Sequence, residues 1–165
     1  APLLDDPITS TFRFGLVAVG TAGNGEIRPA HQYARMVSDF VAADEFLEIL
    51  EAARMIQSSG VEPTIDTMFW SMTLYPFNWR AEAQKVIITM TDEVAQSVLG
   101  KDCAEISAIA QDDLFELFVF ALRPHQNTFL ACVHGEHRRL FTPAVNSETV
   151  FLQIRQIFDD LCMGD

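Results

Sequence analysis

The chain is short of basic residues, of cysteine and of long apolar runs, and each shortage narrows what it can be. Eleven Lys and Arg stand against 23 Asp and Glu in 165 residues, a formal charge of −12. A field of that sign repels phosphate backbones and anionic membrane surfaces, so no nucleic acid partner is expected, while cations are concentrated. No apolar run approaches the roughly 20 residues of a spanning helix, so no membrane span is expected within the chain. The opening residues Ala1 to Asp6 hold no Met, no basic region and no apolar stretch, and any targeting signal is expected upstream of them. Repeats, low-complexity stretches and dividing linkers are also missing. With 49% hydrophobic and 21% charged residues, the composition is that of one globular domain with a sizeable core.

Only three cysteines occur, Cys103, Cys132 and Cys162, and none falls in a CxxC pair. Such spacing does not suit zinc. It leaves open buried thiols acting as small hydrophobes, one disulfide with a free thiol, or pairing to a segment outside the chain. The compartment stays open with it.

What is present is an alternation of apolar segments of two kinds. Thr11 to Val19 is a β-rich run closed by the glycine loop 20–25, and Gln32 to Phe40 is a weaker extended segment. Asp44 can cap a helix whose Phe46, Leu47, Ile49, Leu50 and Ala53 share one face. Gly60 and Pro63 break the chain before a largely apolar helix over Thr64 to Leu74. Lys85 to Met90 has the short apolar character of a buried parallel strand, and a helical stretch is expected within Glu93 to Ala110. Phe115 to Leu122 is the strongest strand, ended by Arg123-Pro124. A short segment near Asn127 to Val133 leads to a weak strand over Arg138 to Pro143. The last helix, capped by Asn146 or Ser147, carries Val150, Phe151, Ile154, Ile157, Phe158 and Leu161 at helical spacing. Strands alternating with helices predict an α/β domain with a mostly parallel sheet, Phe12 to Val19 included, covered on both faces. In such sheets ligands bind beyond the carboxyl ends of the strands.

Few side chains there can carry chemistry. Asp92, in Thr91-Asp92-Glu93 after the strand 85–90, can bind a hard cation or cap the next helix. Glu62, Thr64, Asp66 and Thr67 supply oxygens beside a helix start, where Thr64 or Asp66 can equally be a cap. Two such loops converging on one sheet edge would make an oxygen-rich site for Mg²⁺, Mn²⁺ or Ca²⁺. The loop 20–25 reads GxxGxG and leads toward Pro29 rather than into a helix, so it is a turn rather than a phosphate cradle. His134 and His137, three apart around Gly135, lack the HExxH spacing and read as surface histidines. Cys132-Val-His134 raises a caspase-like thiol hydrolase as an enzymatic alternative, although neighbours in sequence rarely reach nucleophile geometry.

These segments resemble, in order, the von Willebrand factor type A family. Thr11 to Gly20 is similar to that family's second strand. Phe77-Asn-Trp-Arg to Thr91-Asp92-Glu93 resembles its fourth strand with the "TD" metal loop, in a form common in its bacterial and kinase-linked branches. Arg138 to Thr142 followed by Ser147 to Cys162 resembles its closing strand and helix. The resemblance implies a three-layer α/β/α, Rossmann-like, doubly wound fold over a single domain, 1–165. The family's DxSxS motif, at the end of its first and central strand, has no counterpart here, so either the first strand and helix are expected from an upstream segment or a second chain, or the site is degenerate.

The resemblance further implies a protein–protein or adhesion module, not an enzyme, that binds its ligand through a divalent cation, Mg²⁺ or else Mn²⁺ or Ca²⁺. Asp92 would supply the "TD" carboxylate, with Thr64 or Asp66 from the family's threonine-containing loop. The partner would be a protein ligand or a matrix or surface component. The place of action would be extracellular or at the cell surface, with the cytoplasm as the alternative. A scaffold domain of the same fold without metal is the other reading.

Overall fold

The computed structural model describes residues 12–19, 34–53, 62–73, 77, 79–80, 82–133, 139–141 and 147–162. Its strands are β1 (Phe14–Val19), β2 (Ala34–Val41), β3 (Lys85–Thr91), β4 (Phe115–Ala121) and β5 (Arg139–Phe141). Its helices are α1 (Ala43–Ala53), α2 (Thr64–Thr73), α3 (Cys103–Asp112), the one-turn α4 (Gln126–Phe129) and α5 (Ser147–Cys162). The three runs expected as strands, the extended segment before Phe40 and the buried helix from Thr64 are all present.

The parallel sheet is β3-β4-β5. Lys85 to Thr91 pair in unbroken register with Phe115 to Ala121, and Phe118 to Phe120 pair with Arg139 to Phe141. β4 is central and, apart from the half-buried Glu116, wholly buried, which explains why FELFVFA shows no polar alternation. Its alternate side chains feed two cores. Phe115, Leu117, Val119 and Ala121 pack with Ile65, Met68 and Met72 of α2 and with Cys103, Ile106 and Ala110 of α3. Phe118 and Phe120 pack on the other face with Ile157 of α5, joined by Val86, Ile88, Ile154 and Leu161. Helices on both faces of a parallel sheet make the three-layer α/β/α arrangement.

One expectation needs correcting. β1 does not join the parallel ladder: it pairs antiparallel with β2, from Phe14↔Val41 to Val19↔Ala34, with irregularities on either side of Leu16. Among the described residues no ladder connects this pair to β3-β4-β5. The covering layers nevertheless span both. Helix α2 touches β1, β2 and β3. On the opposite face Phe158 of α5 lies 4.9 Å from Phe12 and 6.3 Å from Phe14, ring to ring, one residue after the Ile157 that packs on β4. An aromatic chain binds the lower ends together: Phe40 against Phe77 and Trp79, and Trp79 edge-on to Phe115 at 5.2 Å. Gly15 makes room for it, since a Cβ there would stand 2.6 Å from the Phe77 ring.

Helix boundaries follow local chemistry. The helix expected somewhere within 93–110 begins only at Cys103, because the Asp102 carboxylate accepts the Glu105 N–H as a cap. Helix α1 begins at Ala43, so Asp44 sits inside its first turn, where the helix dipole favours a carboxylate.

Candidate functional site

Because β3, β4 and β5 are parallel, their carboxyl ends open on one edge of the sheet. The segment 92–102 leaves β3 at that edge with neither helix nor strand of its own. The start of α2 reaches the same place. Ile65 N–H donates to Gln96 O at 3.0 Å, which joins the segment after β3 to the start of α2.

The three metal candidates have different surroundings at this edge. Asp92 is exposed in the first turn after β3, where Glu93 N–H donates to Thr91 Oγ1 at 3.1 Å, and no described residue bonds the Asp92 carboxylate. Thr64 is fully buried as the first residue of α2, and its hydroxyl donates to Glu62 O at 3.3 Å. Asp66 is also fully buried, in the first turn of α2. Its Oδ1 accepts from Ser97 Oγ at 2.5 Å, and its Oδ2 accepts from Val98 N–H at 2.8 Å and Leu99 N–H at 3.3 Å. Three donors on two oxygens turn Asp66 toward the 97–99 backbone, where a buried carboxylate is stable because it is hydrogen-bonded. Ser97 accepts in turn from Leu99 and Lys101 N–H, so its hydroxyl is fully used.

Sequence reasoning did not find Ser97, Gln96 or Thr128, the last of which accepts Ala95 N–H at 2.8 Å. Nothing in the residue types marks these pairings, which span about thirty positions. It also left the cysteines open. Cys103 and Cys132 form a disulfide. Cys132 is completely buried in it and offers no thiolate, and His134 lies outside the described residues, as do His137 and the glycine loop 20–25.

Of the three candidates, Asp92 offers an exposed carboxylate and Thr64 a hydroxyl that donates to Glu62 O, on neighbouring loops, and Asp66 is already engaged. No group of three or more His, Cys, Asp or Glu among the described residues could hold a metal ion. A magnesium-type site needs near-octahedral oxygen ligands, so these residues alone do not complete one.

The fold meets the resemblance independently. The chain is structurally similar to the VWA domain of SpRpn10, known from a crystal structure, with a TM-score of 0.54 over 88% of this chain and 72% of that one at 14% identity. At that identity the likeness shows the fold: a von Willebrand factor type A-like α/β domain. No family profile matches the sequence. No curated protein matches it either.

Proposed function

We propose that this chain is a protein-interaction domain of the von Willebrand factor type A kind, a single unit over 1–165 without catalytic activity. It would engage its partner at the edge formed by the start of α2 and the segment after β3. One observation carries the reading: hydrogen bonds from Ile65 and to Asp66 fasten these two loops together at the carboxyl end of a parallel sheet. In this reading Asp92 and Thr64 are two oxygens of a divalent-cation site, and Asp66, which could be a third, instead holds the loop that presents them. Mg²⁺, Mn²⁺ or Ca²⁺ would suit such ligands. The remaining ligands would arrive with a strand from an upstream segment or a second chain. The edges of β1 and β3 that no described strand pairs, lying under the same α2 and α5, support that completion.

The metal-independent scaffold is the second reading, favoured by the lack of a metal-holding cluster among the described residues. Titration calorimetry with Mg²⁺ on the chain, on a chain carrying an added upstream DxSxS strand and on that extended chain with Asp92→Ala separates them. Heat that appears only with the added strand and vanishes in its Asp92→Ala form supports the cation site. No heat in any of the three leaves the scaffold reading.

The disulfide bears on location. Such bonds persist where thiols are not kept reduced, which supports an extracellular or cell-surface setting over a cytoplasmic one. Among the described residues no helix is long and apolar enough to cross a membrane.

A further inference from the structure

The segment 92–102 has no helix or strand, yet most of its residues are partly buried. Two props hold it. One is α2, through Ile65 N–H on Gln96 O and the three donors on Asp66. The other is Thr128, which accepts Ala95 N–H at 2.8 Å while its own hydroxyl donates to His125 O at 2.7 Å. The first prop rests on a full helix packed in the core. The second rests on α4, a single turn of four residues, far below the length at which a helix holds itself.

Helix α4 is held upstream by Gln126 Nε2, which donates to Ala121 O at 3.2 Å, and downstream by its buried end. Phe129 is fully buried, Cys132 N–H donates to Phe129 O at 2.9 Å, and Cys132 is bonded covalently to Cys103. Cys103 is the first residue of α3, directly after the segment in question. The disulfide therefore ties the lateral prop and the downstream anchor of 92–102 to each other.

We infer that Cys103–Cys132 is a redox-sensitive latch for the segment 92–102. Closed, it holds Thr128 against Ala95; open, it releases α4 and loosens the loop while α2 and the β3-β4 core stay in place. The step is ordinary exchange with a dithiol reductant. A reductant thiolate attacks one sulfur, and the other leaves as a thiolate and takes up a proton. The second reductant thiol then resolves the mixed disulfide, so two electrons convert one protein disulfide to two thiols and the dithiol to its cyclic disulfide. As residues Cys103 keeps 8% exposure and Cys132 none, so a reductant reaches the bond through local opening, with Cys103 the nearer to solvent.

The latch stands independently of the proposed function. Hydrogen exchange followed by mass spectrometry tests it on the oxidised chain, the chain in dithiothreitol, and the Cys103→Ala/Cys132→Ala double variant. Cys162→Ala serves in all three as a background without disulfide shuffling. In early labelling, peptides covering 92–102 should exchange at least about tenfold faster when the bond is open, while β3 and β4 peptides stay protected. Three titratable thiols in the native chain under air would overturn the inference. So would equal exchange in the two states, or loss of protection throughout. A loop that responds to dithiothreitol in a protein with no response to Mg²⁺ keeps the latch and removes the cation site.

Discussion

Asp66 shows how a residue type can be read correctly while its job is not. Its position beside a helix start admits a ligand or a cap, and the structure gives its oxygens three partners in 97–99 instead. Removing the carboxylate strands the half-buried Val98 amide and the Ser97 hydroxyl, each deprived of a charge-assisted bond, while Leu99 N–H keeps Ser97 Oγ. Asp66→Ala should therefore cost about 2–4 kcal/mol in urea unfolding. A cost under about 1 kcal/mol would mean that the 97–99 amides find other acceptors. Leu114 is the opposite case, a residue the fold tolerates rather than uses. It sits between α3 and β4 with φ 58°, in the left-handed region, and is 79% exposed. Left-handed backbone costs an L-residue roughly 1–2 kcal/mol and glycine's extra chain entropy roughly 0.5–1. Leu114→Gly should thus raise stability by about 0.5–1 kcal/mol in the same assay, since so exposed a side chain has little burial to lose.

At the scale of elements, periodicity was the part of the fold that could be read. The stripe Ile154, Ile157, Phe158 and Leu161 on α5 is the one that packs, because a helix on a sheet buries every third or fourth residue. The apolar runs of β3 and β4 were legible for the same reason: strands covered on both faces lose their alternation. Pairing was not. Whether β1 hydrogen-bonds to β2 or to a parallel neighbour depends on contacts far apart in sequence, and side-chain pattern is blind to strand direction. The start of α3 had a usable signal, Asp102 three residues before Glu105, and the apolar spacing upstream obscured it. Phe158 tests the α5 stripe directly. It is 8% exposed and touches rings on the β1 side, so Phe158→Ala should cost roughly 3–5 kcal/mol, the range for emptying a buried aromatic site. A loss below about 1 kcal/mol in chemical denaturation would show that the stripe does not anchor the two ladders.

The two ladders raise the question of whether the molecule unfolds as one. They share no described hydrogen bonds, yet α2 lies across both and Phe158 reaches from α5 to the β1 side. Shared covering layers couple them through side-chain packing, so calorimetry should give one transition with equal calorimetric and van't Hoff enthalpies. Two resolved transitions would make β1-β2 with α1 an independent unit, and would remove the reason to expect a completing strand between β1 and β3.

The net charge of −12 complicates any reading of metal binding and also supplies its control. Self-repulsion in so acidic a chain is relieved by any salt, so Mg²⁺ should raise the melting temperature without occupying a site. That screening depends on ionic strength and is indifferent to one carboxylate. Site binding is not: a cation that binds only the folded form adds RT ln(1 + [L]/Kd), about 2.7 kcal/mol at a hundredfold excess over Kd. For a domain of this size that is a shift of about 5–10 °C. Melting should therefore be compared in NaCl and MgCl2 at equal ionic strength, for the wild-type chain and Asp92→Ala. With an upstream DxSxS strand supplied, the magnesium sample should melt about 5–10 °C higher, and Asp92→Ala should abolish that difference while keeping the response to NaCl. The chain by itself, with the exposed Asp92 and the buried Thr64 hydroxyl as its candidate oxygens at the edge, should respond to the two salts nearly alike. A magnesium-specific shift that survives Asp92→Ala would place the cation elsewhere on the acidic surface and end the assignment of this edge as its site.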